Sequence, residues 1–243
     1  MSLPSDILLP AEYKSFGIID PKHAFNPNWD ISWSFSYALT GSEHGFCTYL
    51  TTESNLLSSA PGHYLGYFEN GGVLAIAFDS TGYFALSNTK TIEGVTASNI
   101  KPNSLIVRDD NNVVMLNESL SSLDTEFHLA SSVKSFTTLR FSYCGAGKRL
   151  YIDYKKTENT YKNLATVALT SNYITDNTIL YPGLTFCSPL SSNNTDLSTM
   201  FSKNFHTYGS FQDPTYKSLE FDPLSSNSIT LYTTISGISA VRP

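Results

Sequence analysis

The chain has 243 residues, a formal net charge of −6 and a pI near 5.3, with 41% hydrophobic, 13% aromatic and only 15% charged residues. That is enough to bury one sizeable core, and single all-β domains reach this length. An acidic chain whose cations gather only in pairs such as Lys148-Arg149 and Lys155-Lys156 argues against nucleic acid as a partner, because that binding rests on phosphate neutralisation. No apolar run approaches the ~20 residues of a membrane helix, so no membrane insertion is expected.

Residues 1–30 contain Pro4, Pro10, Pro21 and Pro27 and are expected to form an irregular lead-in. The clearest strand follows. From Ile31 to Leu39, Ile31, Trp33, Phe35, Tyr37 and Leu39 alternate with Ser32, Ser34, Ser36 and Ala38. Strict period two gives one buried face and one wet or lightly packed face. Further strands are expected over Phe46–Leu50, Tyr64–Phe68, Val73–Phe78, Tyr83–Ser87, Leu105–Arg108 and Val113–Leu116. Residues 109–112, Asp-Asp-Asn-Asn, read as the hairpin turn between the last two, because these side chains bond nearby backbone.

Helix is expected only loosely over Glu118–Val133 and as one turn near Asp196–Phe201, capped by Asp196. Strands Leu139–Tyr143 and Arg149–Tyr154 flank a turn at Gly145–Gly147. Leu164–Leu169, Leu184–Cys187, Asn204–Tyr208 and Ile229–Ile235 complete the pattern. Many short strands between turn signals mean an all-β sandwich or barrel. We divide the chain into the lead-in 1–30, a sandwich 31–212, and a C-terminal extension 213–243 whose final strand is either an arm or an outer strand.

Cys47, Cys144 and Cys187 lie in apolar strand-like runs, and an odd count without close spacing fits neither a disulfide framework nor zinc. They read as small buried hydrophobes. Met1–Asp6 lacks the basic start and apolar core of a secretory leader, so we expect synthesis in the cytoplasm. The sequons at Asn117 and Asn193 then read as polar loops.

The order of several segments resembles the legume (L-type) lectins and the wider concanavalin A-like jelly roll, from about Trp33 to Ser210. Residues 45–50, Gly-Phe-Cys-Thr-Tyr-Leu, are similar to that family's aromatic-aromatic-leucine strand. Residues 61–68, Pro-Gly-His-Tyr-Leu-Gly-Tyr-Phe, are similar to its glycine turn and strand, and residues 74–79, Leu-Ala-Ile-Ala-Phe-Asp, to its Val-Ala-Val-Glu-Phe-Asp strand. Arg149–Tyr154 falls where the curved back strand would lie, and Tyr181–Cys187 resembles a later strand of the family. The resemblance implies a concanavalin A-like jelly-roll β-sandwich of antiparallel sheets with very little helix.

It also implies where a sugar would sit. The family's sugar-contacting aspartate falls on His44, preceded by Glu43, which could take the carboxylate role after a one-residue slip. The amide-donating glycine falls on Gly62, and His63 lies at the same rim as His44. Asp79 matches the metal-holding aspartate, but its partner glutamate is replaced by Ala77. Residues 80–86, Ser-Thr-Gly-Tyr-Phe-Ala-Leu, offer none of the Asn, Asp or His that a calcium site requires. We therefore expect no metal and no cofactor, and read Asp79 first as a turn residue before Gly82. Tyr64, Tyr67 and Tyr83 lie near the rim, where aromatic rings can stack on sugar faces. The candidate ligand-binding set is Glu43, His44, Gly62, His63, Tyr64, Asp79 and Tyr83.

Catalytic patterns are missing. Retaining sandwich glycosidases need two carboxyls about 5 Å apart on one strand, and Asp124-Thr125-Glu126 is the one similar spacing, without a strand pattern around it. The expected function is a non-catalytic lectin-like binding module, its missing metal loop implying either metal-free glycan recognition or loss of sugar binding, with a glycan or other protein subunits as partner and forming an oligomer or part of a larger assembly. The alternative is a structural decoration or fibre protein of a virion, and a sandwich glycoside hydrolase ranks third.

Overall fold

The computed structural model describes residues 7–9, 14–17, 30–40, 45–51, 65, 67, 72–85, 100–109, 113–130, 134–144, 147–156, 160–169, 181–187, 199–210, 216–225 and 228–236. Alternation becomes strand almost wherever it is strong. In chain order the strands are β1 (Ile7–Leu9), β2 (Lys14–Gly17), β3 (Asp30–Thr40), β4 (Gly45–Thr51), β5 (Gly72–Asp79), β6 (Ser104–Asp109) and β7 (Val114–Ser119). After one helical turn, α1 (Leu120–Leu123), come β8 (Thr137–Cys144), β9 (Arg149–Lys155), β10 (Lys162–Ala168), β11 (Tyr181–Cys187), β12 (Thr199–Ser210), β13 (Tyr216–Ser225) and β14 (Ser228–Ser236).

They form two antiparallel sheets. One runs β10-β9-β8-β3-β12-β13-β14, with β1 added beside β12, and the other runs β2-β11-β4-β5-β6-β7. Facing aromatics fill the space between them. Trp33 and Phe35 of β3 stack on Phe141 of β8 at 5.3 and 5.9 Å. Phe46 of β4 takes Phe35 and Tyr37 from the opposite sheet and stacks on Phe78 of β5 at 4.9 Å. Phe127, after α1, closes one end between Phe78 and Tyr154. Offset and edge-on pairs of this kind add to the area they bury.

The β3 alternation is realised from Trp33 to Leu39, yet its serine face is nearly closed. Ser36 is 7% exposed and meets the Thr138 hydroxyl at 2.8 Å, while Ser32 meets Ser142 at 3.2 Å. Asp109 closes the β6–β7 hairpin as its residue type suggested, its carboxylate accepting the Val113 N–H at 2.8 Å.

Several expectations need correction. The lead-in is not wholly irregular: β1 pairs with β12 and β2 with β11. Within the extension, the final strand expected at Ile229–Ile235 lies in β14, the outer strand of its sheet, and β13 beside β12 is a second strand beyond those expected. Its Pro223 falls where the β13–β14 register shifts, the place in a sheet where a residue without an N–H is tolerated. The strand expected at Tyr64–Phe68 is contradicted at its described residues, since Leu65 sits in a turn at φ 50° and Tyr67 is in no strand. Tyr83–Ala85 is a short 3-10 turn rather than a strand. The loose helix over 118–133 shrinks to α1, because Asp124 leaves helical geometry at once. Thr199–Phe201 belong to β12 instead of a helical turn. Asn117 lies in β7 and not in a loop, and Asn193 lies outside the described residues.

Candidate functional site

The sheet containing β4, β5 and β6 has two buried faces, and the second carries the candidate site. Leu74, Ile76 and Phe78 point into the space between the sheets, while Ala75 and Ala77 join a separate buried cluster on the outer face. Small side chains there leave room for a second layer. Leu65, Tyr67, Phe84 and Ala85 fill it, beside Cys47, Tyr49 and Ile106. Tyr49 lies over Gly183 of β11 so closely that a Cβ there would overlap its ring. Burial lifts both the Tyr49 hydroxyl and the Cys47 thiol well above their ordinary pKa ranges. Cys47 is thus the inert, buried residue expected, whereas Cys144 is only half-buried, its sulfur accepting the Gly147 N–H at 3.3 Å.

Asp79 ends β5 opposite Gly45, the first residue of β4. It is 1% exposed and turns both carboxylate oxygens onto its own loop. Oδ1 accepts the Thr81 N–H at 2.8 Å and the Thr81 hydroxyl at 2.7 Å, and Oδ2 accepts the Phe84 N–H at 2.9 Å. The loop is pinned from the far side as well. Ser80 accepts the Asn103 N–H at 3.0 Å, and Gly82 adopts φ 80° with its Cα against Lys101, where a Cβ would stand 2.6 Å from the Lys101 carbonyl carbon. This turn leaves Tyr83 half-buried at the rim and drives Phe84 inward, where it is fully buried.

Arg108 of β6 reaches the same loop. It is 1% exposed, its guanidinium lies 5.1 Å from the centre of the Phe84 ring, and Nη1 donates to the Phe84 carbonyl at 3.4 Å. Sequence reasoning missed both residues. Arg108 ends an apolar strand, where an arginine ordinarily reads as a solvated edge, and Phe84 sits in an apolar run that suits a strand equally well.

Of the seven candidate ligand residues, Asp79 and Tyr83 are brought together in this one loop, while Glu43, His44, Gly62, His63 and Tyr64 lie outside the described residues. The described neighbours of those five do meet: Gly45 is so close to Leu65 that a Cβ on it would stand 2.6 Å from Leu65 Cδ2. Among the described residues there is no group of three or more His, Cys, Asp or Glu that could hold a metal, and no helix is long and apolar enough to cross a membrane.

The carboxyl pair at Asp124 and Glu126 shares one cation, Lys162. Lys162 Nζ lies 2.9 Å from each carboxylate, and Tyr154 donates its hydroxyl to Asp124 at 2.8 Å. Burial works against ionisation of Asp124, but the hydrogen bonds from Lys162, the Glu126 N–H and Tyr154 outweigh it and hold the carboxyl at about 2. A general acid needs the opposite shift. This pair braces the loop that carries Phe127.

Two antiparallel sheets in this order, with a second layer of loops over one outer face, make the chain a concanavalin A-like β-sandwich of the legume-lectin type. Lectin I-B4 of Griffonia simplicifolia in its metal-free form superposes with a TM-score of 0.52 at 13% identity, over 84% of this chain and 93% of that one. A Bauhinia forficata lectin in complex with GalNAc gives 0.50 at 12% identity, over 85% and 99%. Arcelin-5, a lectin-like defense protein from Phaseolus vulgaris, gives 0.50 at 13% identity, over 82% and 77%. At such identities the likeness is one of fold. No protein-family model matches the sequence, and no curated protein does.

Proposed function

We propose that this chain is a non-catalytic lectin-like module that takes a glycan at the rim beside Tyr83 without the metal pair of the legume lectins. The fold likeness to lectins supports the binding reading, and one observation carries its metal-free part: Asp79 turns its carboxylate onto Thr81 and Phe84 of its own loop. A hard cation needs several oxygens turned toward it. Here the one surviving carboxylate faces backbone N–H groups, and Ala77, at the position of the partner glutamate, is fully buried in the apolar second layer. The residues present therefore do not fit that metal pair. A loop ordered by its own aspartate can present a rim without a cation to shape it.

Tyr83 supplies a ring for stacking on a sugar face, and the sequence offers Glu43, His44, Gly62, His63 and Tyr64 as hydrogen-bonding and aromatic groups within three residues of Gly45 and Leu65, which touch. A glycan array followed by isothermal titration, run in EDTA and again in calcium and manganese, tests the reading. Binding that is unchanged by EDTA and weakened by Tyr83→Ala is expected. Binding abolished by EDTA overturns the metal-free part, and failure to bind any glycan overturns the whole.

A further inference from the structure

We propose that Arg108, a buried residue behind the rim, is a positioning residue for this site: with Asp79 it clamps Phe84 from both sides and so fixes where Tyr83 stands. The inference rests on the glycan-binding reading only in its last step. Arg108 pairs with Ala75 across β5 and β6, four residues before Asp79. At strand spacing the two charged residues leave the sheet ~13 Å apart, both on the outer face. They converge on a single residue. Asp79 accepts the Phe84 N–H, Arg108 donates to the Phe84 carbonyl, and the guanidinium covers the Phe84 ring.

Each end of the clamp matches what it holds. A carboxylate is a strong acceptor for a backbone N–H, and a guanidinium can both donate to a carbonyl and lie over an aromatic face. Ala75 and Ala77 make the arrangement possible, because larger side chains would fill the space where Phe84 and Arg108 lie. Tyr67, 6.1 Å from the Phe84 ring, closes the remaining side. A 3-10 turn of three residues has little stability of its own. Burying two opposite charges around it gives the turn one position, and Tyr83, the first residue of that turn, takes its place from Phe84.

Amide hydrogen exchange, residue by residue, tests the clamp on the full chain, with glycan affinity measured alongside. In the unmodified protein the Phe84 and Ala85 amides are protected. In Arg108→Gln they exchange at least about tenfold faster while amides of β8 and β9 keep their rates, because a lost local anchor lowers the cost of local opening alone. Arg108→Lys, which keeps the charge but not the planar stack, lies between, and serves should Arg108→Gln fail to fold. Unprotected Phe84 and Ala85 amides in the unmodified protein overturn the proposal. So do variant rates that match wild type, or that rise equally in β8 and β9. Faster exchange at 84–85 with no glycan bound by the wild type leaves the clamp standing and removes the glycan reading. Faster exchange with unchanged glycan affinity removes the positioning role.

Discussion

Trp33 and Thr48 are joined across the sandwich: the indole Nε1 of β3 donates to the Thr48 hydroxyl of β4 at 2.8 Å, and that hydroxyl donates onward to the Gly183 carbonyl of β11. Trp33 and Thr48 are both fully buried, so this chain fixes how one sheet sits on the other where water cannot substitute. Thr48→Val keeps the shape but leaves the indole without its acceptor, and is expected to cost about 2 kcal/mol. Thr48→Ser keeps the hydroxyl and loses only a methyl group, costing about 1 kcal/mol. Urea denaturation midpoints decide it, and equal losses in the two variants would refute the hydrogen-bond account.

Gly82 is the residue on which the rim loop turns. Its φ of 80° and the Lys101 backbone against it mean that Gly82→Ala adds both a left-handed penalty and a steric clash. We expect a loss of about 1–3 kcal/mol, with Tyr83-dependent binding weakened more than the melting temperature alone explains. A variant as stable and as active as wild type would mean the loop tolerates a different turn.

Much of this architecture was legible in the sequence because the inter-sheet core imposes period two. The Ser/aromatic alternation of β3 and the large/small alternation of β5 each name both faces of a strand. The site was less legible. The run Tyr83-Phe84-Ala85 suits a strand or a buried turn equally, and the outcome is set by Asp79 accepting N–H groups two and five residues ahead, which bends the chain before a strand can extend. Arg108 was legible only as the end of a strand, because the residues that cover it, Phe84 above all, come from another part of the chain. The strands of the lead-in were hidden by their prolines, since β1 and β2 are short pieces fitted between them.

The brace at Asp124 gives a defined acid response. Its carboxyl titrates at about 2 in the folded chain against an ordinary 3.8, so the folded state binds that proton less readily than the unfolded chain. The stabilisation is therefore complete above pH ~4 and is lost as pH falls through ~2. Asp124→Asn removes it. The stability gap between wild type and variant is expected to be about 1 kcal/mol at pH 6 and to close toward pH 2. Denaturant midpoints across that range measure it, and a gap that widens on acidification would contradict the assignment.

Ala77→Glu restores, on paper, the carboxylate that the legume-lectin pattern places two residues before Asp79. The structure gives it no such role. Position 77 is fully buried in the second layer with Cys47, Phe84 and Ile106, and Asp79 is turned toward its own loop. A glutamate there is a charge in a packed layer where the nearby Arg108 is already engaged with Phe84, or a neutral acid whose bulk displaces Phe84. Either way we expect a loss of more than about 3 kcal/mol, together with faster exchange at the Phe84 amide. Calcium or manganese should give no recovery of the melting temperature. If either ion raised the stability of Ala77→Glu above that of wild type, Asp79 would be a latent metal ligand and the self-ordered loop would be the wrong description of this rim.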